Sequence, residues 1–395
     1  MEAAKDKGIE LVTNTEVTAV EGEPGNYRVA LTHKPWYVDI DKCTGCGACV
    51  DVCPITMPHE WEQGLKARKA IYALFPQAAP LKYVIDREGC VECGLCMQVC
   101  GLDAVDLSQE PYTEEVEVGA IVVASGARVF DPSVIEQFQY GKFENVVTNM
   151  EFERICNAAG PTAGELVRPD GKHIHSIAFV QCVGSRDLSH NRWCSFFCCM
   201  AAVKGGRLVM EHAPGAEVMV FYNDLRACGK GFEELYTRSV EEGMKFVRSI
   251  PSVHVNWTSN NPIIVYEDPD ESRVVSKEID LVVLSCGLEP AEGTSQLAEL
   301  LSLEKDAYGF LAERHPTDGV AETKRKGVFI AGICQGPKDI PDAATHGSAA
   351  AAKVGVFLSN GKPQRKGGEV DIRNSGGVEP EFPGGNGGGE SGPDA

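Results

Sequence analysis

Two runs of cysteine at one spacing limit this chain more than anything else in it. Cys43, Cys46, Cys49 and Cys53, followed by Pro54, read C-x2-C-x2-C-x3-C-P. Cys90, Cys93, Cys96 and Cys100 repeat the spacing, with Gly101 after the last. Three thiolates two residues apart wrap a tight loop around one iron–sulfur cubane, and the fourth points away from it. In proteins with two such runs the fourth cysteine ligates the other cluster. The spacing thus assigns Cys43, Cys46, Cys49 and Cys100 to a first [4Fe-4S] cluster. Cys53, Cys90, Cys93 and Cys96 go to a second. Each fourth cysteine is expected to open a short helix. Gly45, Gly47 and Gly94 suit the loops, since positive φ costs glycine little. Structural zinc or buried free thiols are the alternative, but zinc ligands usually come as two well-separated pairs. Here four thiols fall within eleven residues, twice. Such a chain is an electron-transfer protein first.

A length of 395 residues allows two or three domains. With 43% hydrophobic and 24% charged residues, the composition is that of a soluble globular protein. The net charge of -20 argues against non-specific nucleic-acid binding and against docking on an anionic membrane, and it favours partners with basic patches. Sixteen cysteines would suit a secreted disulfide scaffold, except that they cluster at metal-ligand spacing and the first twenty residues hold no signal peptide. No run of about eighteen apolar residues is present, so no spanning helix is expected. The expected compartment is the reducing cytoplasm.

In chain order, residues 2–7 read as the end of a helix capped by Gly8, and 9–13, 16–20 and 27–31 as strands. That order is the one found just after the first βαβ unit of a two-dinucleotide-binding flavoprotein. The G-x-G-x-x-G loop that would precede it is not in the sequence, so the chain is expected to start inside that unit or to lack the half-site. The cluster segment, 36–110, interrupts the sheet, with a helix expected over 61–74 and a closing strand over 104–107. Residues 118–126, VGAIVVASG, read as a buried parallel strand whose terminal Gly126 lets backbone approach a cofactor.

Residues 131–290 read as a second α/β unit. Strands are expected over 177–181, 217–222 and 279–285, and helices over 195–211 and 230–242. Where a dinucleotide loop would come after the first of these strands, the chain reads Cys182-Val183-Gly184-Ser185-Arg186-Asp187, with Cys194, Cys198 and Cys199 close behind. These four thiols are a third cluster or a buried apolar set, and spacing alone leaves both open. His173 and His175 alternate as a surface pair. Cys156, Cys228 and Cys334 read as packing thiols, and Cys286 as the small end of a buried strand. Ser185 and Ser195 lie near cysteines and not near a convincing histidine base. GVFIAG at 327–332 is again a buried strand ending in glycine, Gly332. Asp339 then caps a helix reaching about residue 358, whose N-terminus suits an anionic flavin ring or a phosphate. Residues 361–395, rich in glycine and proline, are expected to be disordered.

Taken together, DKCTGCGACVDVCP, RKAIYALFPQAAP, FVQCVGSRD with CSFFCCMAAVK, DLRACGKGFEELYTRSVEEG and AGICQGPKDIPDAATHGSAAAAK resemble the A subunit of heterodisulfide reductase, the flavin and iron–sulfur component of methanogens and many anaerobic bacteria. The resemblance covers about residues 1–360. It implies an α/β, thioredoxin-reductase-like two-dinucleotide-binding fold, N-terminally incomplete, with an inserted two-cluster ferredoxin-like α+β module. The implied divisions are 1–35, 111–130 and 291–360 for the FAD-binding domain, 36–110 for the module, 131–290 for the second domain and 361–395 for the tail. It implies FAD lined by Gly126, Gly332, Asp339 and Ile340, with Lys338 near the ring's reactive nitrogen, and a third cluster on Cys182, Cys194, Cys198 and Cys199. Ile333 stands where flavoproteins generally place an acidic residue for the ribitol. The implied function is an oxidoreductase subunit that splits electron pairs. A hydrogenase or formate dehydrogenase would supply them. Ferredoxin and a disulfide-reducing partner, with subunits of the B and C type, would receive them. Two other readings share these residues: a quinone-linked subunit of sulfate respiration, and a flavin-free iron–sulfur relay.

Overall fold

The structure, a computed structural model, describes residues 3–360, so the tail at 361–395 lies outside the described residues. Three antiparallel strands, Thr15–Glu23, Asn26–His33 and Tyr112–Val118, form one sheet. The second and third are direct partners, with His33 opposite Tyr112. Both cysteine runs therefore leave and re-enter the sheet between two hydrogen-bonded strands. Beside it, Ile121–Val123 pairs in parallel with Val328–Ile330, which brings the distant 327–332 segment against residues 118–126.

The second sheet has five strands, all parallel, in the order Val146–Thr148, Leu281–Cys286, Ser176–Val183, Glu217–Phe221 and Lys245–Val247. Its strands are near-continuous apolar runs because both faces are covered, and every residue of Leu281–Cys286 is buried. The two-residue period divides them. Ala178, Val180, Met219 and Leu284 pack on one side, and Ile177, Phe179, Val220 and Val283 on the other. The Cys198–His212 helix covers the second side closely. A Cβ on Gly206 would stand 2.6 Å from Met244 Cε and 2.9 Å from Val218 Cγ1. The sheet is α/β by its own topology. The N-terminal edge of the sheet is pinned by Arg168, 2% exposed, which donates to Asp170, Asn261 and Asp280.

The cysteine segment departs from the expected helix over 61–74. The chain there makes a single 3-10 turn, Glu60–Glu62, and two small hairpins, Met57–Pro58 with Ala67–Arg68 and Ile71–Tyr72 with Val84–Ile85. Two features overrule the helical pattern. Gln63 and Gly64 both take positive φ, which ends the turn. The charged groups then act across the segment: Arg68 bonds Glu60 at 2.5 Å and Asp86 at 2.8 Å. Buried Glu62 accepts two bonds, at 3.0 and 3.1 Å, from Arg154 on the Asn149–Ile155 helix. That bidentate pair ties the segment to the second sheet's first helix.

Other expected elements shrink. Residues 2–7 give only the turn Ala3–Lys5, residues 9–13 join no ladder, and 104–107 gives one bridge, Val38 to Val105. The strands expected at 16–20, 27–31, 177–181, 217–222, 279–285 and 327–332, and the long helices, lie within a few residues of their predicted places. Among the described residues no helix is long and apolar enough to cross a membrane.

Candidate metal centres and cofactor cleft

The two cysteine runs build two hollows. One is lined by Cys43, Cys46 and Cys49 together with Cys100. The other is lined by Cys90, Cys93 and Cys96 together with Cys53. Each run thus meets the fourth cysteine of the other. The helices Ala48–Asp51 and Leu95–Val99 make the exchange, packed side by side. Gly47 and Gly94 precede them with φ of 88° and 74°. The fourth cysteines do not open these helices, as the spacing suggested, but come after them: Cys53 lies just past Val52, and Cys100 is itself a C-cap. A turn of helix between the third and fourth thiols is what carries the fourth across to the other hollow.

Ile71 lines both hollows and divides them. With Val38, Ile85, Ala104 and Val105 it forms an apolar shell around the sulfurs. Burial there pushes the Cys49 thiol up to about 11, and nearby Cys43 and Cys46 add to it. Cys96 is raised for the same first cause. Such thiols ionise when a cation takes their charge. Backbone N–H groups already point at two sulfurs, Glu92 at Cys90 (3.4 Å) and Ala104 at Cys100 (3.3 Å). Among the described residues no three His, Cys, Asp or Glu converge to hold a single metal ion. Hollows lined by four thiols suit a cubane, in which each thiolate binds a different iron. Cys46 and Cys93 are exposed, so each hollow has one edge at the surface.

The third cysteine set sits at the C-terminal end of the parallel sheet. The pairing of Ser176–Val183 with Leu281–Cys286 slips between Val180 and Val183, and Cys182 takes a φ of 62°. Cys194 comes from the following loop, its Sγ accepting from Phe196 N–H at 3.3 Å. Cys198 and Cys199 open the Cys198–His212 helix, both buried. The four act on one another. Burial first, then Cys199, Cys182 and Cys194, drive the Cys198 thiol well above its ordinary value. Cys199 is pushed up to about 11 by burial, against the pull of a backbone bond from Arg226. Cys182 is raised by burial and opposed by Arg186.

Arg186 and Arg226 were not legible as part of this site. Asp224 holds both, Arg186 Nη1 donating to its carbonyl at 3.3 Å and Arg226 Nη2 lying 3.5 Å from its carboxylate. Only their position just past the ends of neighbouring strands hinted at it. The remaining thiols stand apart. Cys334 is buried and donates to Val123 and Ala331 carbonyls, Cys156 is pushed up to about 12 by burial, and Cys228 is exposed. His173 and His175 are both exposed.

Gly126 and Gly332 lie just past the C-terminal ends of the parallel pair Ile121–Val123 and Val328–Ile330, where α/β sheets bind ligands. Both have positive φ, 78° and 74°, and a Cβ at either would meet nothing within 4 Å. That open approach fits a flat group such as a flavin. Lys338 is half-buried, its Nζ on Gln335 Oε1 (2.5 Å) and the Gly336 carbonyl (3.1 Å). Burial lowers its pKa, opposed by Cys334, Glu313 and Asp342. Asp339 Oδ1 accepts from Asp342 N–H at 2.8 Å, capping the Ile340–Asn360 helix, while Ile340 is 85% exposed. Buried His346 completes the turn. Its Nδ1 accepts from Gly332 N–H at 3.1 Å, and its Nε2 bonds Glu313 Oε1 at 3.1 Å. Nothing in the sequence singled out His346 or Glu313.

A family described as a 4Fe-4S dicluster domain matches residues 42–104. The iron-sulfur A subunit of a CoB–CoM heterodisulfide reductase of Methanopyrus kandleri is 48% identical over 366 residues, covering 92% of this chain and 56% of that protein. The A subunit of the H(2):CoB-CoM heterodisulfide,ferredoxin reductase of Methanothermobacter thermautotrophicus is 43% identical over 365 residues, covering 92% of this chain and 55% of that one. Lactococcus lactis thioredoxin reductase superposes with a TM-score of 0.40 at 18% identity, covering 74% of this chain and 86% of that chain. The chain spans about half the length of the curated relatives it matches. Within that half, it is similar to proteins named as iron–sulfur A subunits of heterodisulfide reductase.

Proposed function

We propose that this chain is the flavin- and cluster-carrying part of a heterodisulfide-reductase-type oxidoreductase subunit, passing electrons among partner proteins. The observation that carries this reading is the crossed pair of hollows, each run of three cysteines meeting the fourth of the other. Cys43, Cys46, Cys49 and Cys100 would hold one [4Fe-4S] cluster, and Cys53, Cys90, Cys93 and Cys96 another. Cys182, Cys194, Cys198 and Cys199 would hold a third, and Gly126, Gly332 and the 338–340 turn would border FAD. Bound clusters supply one-electron steps at graded potentials, and bound flavin supplies two-electron chemistry. In this reading residues 36–110 are a ferredoxin-like module inserted into the FAD-binding domain, and 131–290 are the second domain.

The protein's own share is electrostatic and steric. The shell around Ile71 keeps water from the sulfurs, and the Glu92 and Ala104 amides offset thiolate charge, two levers on potential. Arg186 does the same beside Cys182. Val91, Met97 and Leu102, exposed near the surface cysteines, offer an apolar rim on which a redox partner can dock. The partners we propose are B- and C-type subunits, a hydrogenase or formate dehydrogenase as donor, and ferredoxin as acceptor. Splitting of an electron pair between the last two routes is part of the proposal. The test is anaerobic purification with iron, labile sulfide and flavin assayed per chain. About twelve irons, matching sulfide and one FAD are expected. Zinc in place of iron would overturn the reading, and about eight irons would reduce the third set to packing thiols.

A further inference from the structure

A cavity of about 510 Å³ opens beside the first cysteine hollow, on the 56–83 part of the chain that the cluster ligands do not use. Its size is that of a small-molecule site. Aromatic side chains line it: Tyr72, Phe75 and Tyr83, with His59 edge-on to Tyr72 at 5.9 Å. The charges around it are unequal. Arg68 is neutralised by Glu60 and Asp86, and Glu62, the one carboxylate in the lining, is taken by Arg154. Lys66 and Lys69 also line the cavity, and among the described residues neither has a carboxylate partner. Lys69 Nζ reaches only Thr56 Oγ1, at 3.2 Å. His59 Nδ1 is buried with no hydrogen-bond partner. On a chain of net charge -20, two lysines without carboxylate partners beside the aromatic side chains Tyr72, Phe75 and Tyr83 select a planar anion.

We propose that this cavity binds a phosphorylated planar ligand of the flavin mononucleotide class, with Lys66 and Lys69 on the phosphate and the aromatic side chains against the ring. Tyr83 borders both this cavity and the hollow of Cys43, Cys46 and Cys49, and Val50 in its lining is the next residue after Cys49. A bound ring is thus separated from that hollow by about one side chain's thickness. Its bearing on electron transfer rests on the cluster reading above; the binding does not.

The test uses the purified holoprotein and two probes, flavin mononucleotide and riboflavin, titrated by fluorescence quenching. The nucleotide should bind, and riboflavin, lacking the phosphate, should bind roughly tenfold more weakly or worse. Lys66→Gln/Lys69→Gln should weaken the nucleotide at least about tenfold, leave riboflavin unchanged and leave iron and FAD content at wild-type values. Phe75→Leu should weaken both probes. Equal binding of the two probes, an unchanged affinity in the lysine double variant, or no binding at millimolar nucleotide would each overturn the proposal. Iron content is read in the same samples, so failure of the cluster reading shows separately.

Discussion

Residues 34–111 hold eight cysteines among helices of four and five residues and strands of two, with only Cys49 and Cys96 on a helix and none on a strand. The second sheet places four cysteines at the end of strands of up to eight residues, capped by a fifteen-residue helix. The buried core of the first region is six residues, one of them Cys43, and cysteines pack around it. The sheet has fourteen buried residues on each face. So small a core rarely folds alone, and a metal site commonly makes up the difference. In the first region a bound cluster would be part of the fold. In the second the fold exists and the thiols are added to its edge.

The largest effect should come from removing the iron. Oxidative chelation is expected to strip hydrogen-exchange protection from amides between residues 43 and 105 almost completely. The strands Leu281–Cys286 and Ser176–Val183 should keep theirs. Protected amides throughout the iron-free cysteine segment would break the comparison.

Single ligands sharpen it. Cys100→Ser should damage the hollow of Cys43, Cys46 and Cys49 rather than that of its own run, and loosen the segment. Cys198→Ser/Cys199→Ser should lower iron by about four per chain, yet leave the sheet's urea midpoint nearly unchanged. A large drop in that midpoint would mean that the third set is structural after all.

The sheet's own stability should respond to Asp170 instead. Arg168 stays buried whatever its partner does, so Asp170→Asn leaves a cation short of one carboxylate, at a cost of about 3 kcal/mol at neutral pH. Arg168 holds the Asp170 carboxyl down at about 2, below its ordinary 3.8. A depressed carboxylate stabilises fully above the unfolded value and loses that contribution as pH falls through the folded one. The gap between wild type and variant in urea unfolding should therefore close between pH 3.8 and 2, while the cysteine segment's iron is unaffected at neutral pH.

The same contrast governs what the sequence discloses. Cysteine spacing fixes local loop geometry, so the meeting of each run with the fourth cysteine of the other could be written down from positions alone. The apolar strands were equally plain, since burial on both faces writes itself as an unbroken run at residues 281–286. Long-range contacts were hidden. The expected helix at 61–74 fails because Glu62 answers to Arg154 and Arg68 to Asp86, pairs that no periodicity encodes. Arg186 and Arg226 reach the third cysteine set only because separate crossovers end beside it.

His346 is the smallest test and the most local. It sits on the inner face of the alanine-rich Ile340–Asn360 helix, and it connects a peptide N–H at Gly332 to a carboxylate at Glu313. Because Nδ1 accepts from the amide, Nε2 must carry the proton given to Glu313. Glu313 Oε1 also accepts from Ala321 N–H at 2.7 Å, so the carboxylate keeps one partner when the ring is removed. His346→Ala strands the Gly332 amide and should cost about 1–2 kcal/mol. The same change frees the Gly332 turn, so flavin retention should fall while iron content holds. His346→Asn offers a carbonyl to Gly332 but is too short to reach Glu313, and it should restore part of the flavin and little of the stability. If both variants keep flavin and stability at wild-type values, the turn is held by the strand Val328–Ile330 alone, and the Gly332 turn and the sheet obey one rule: a packed strand end positions its glycine without help.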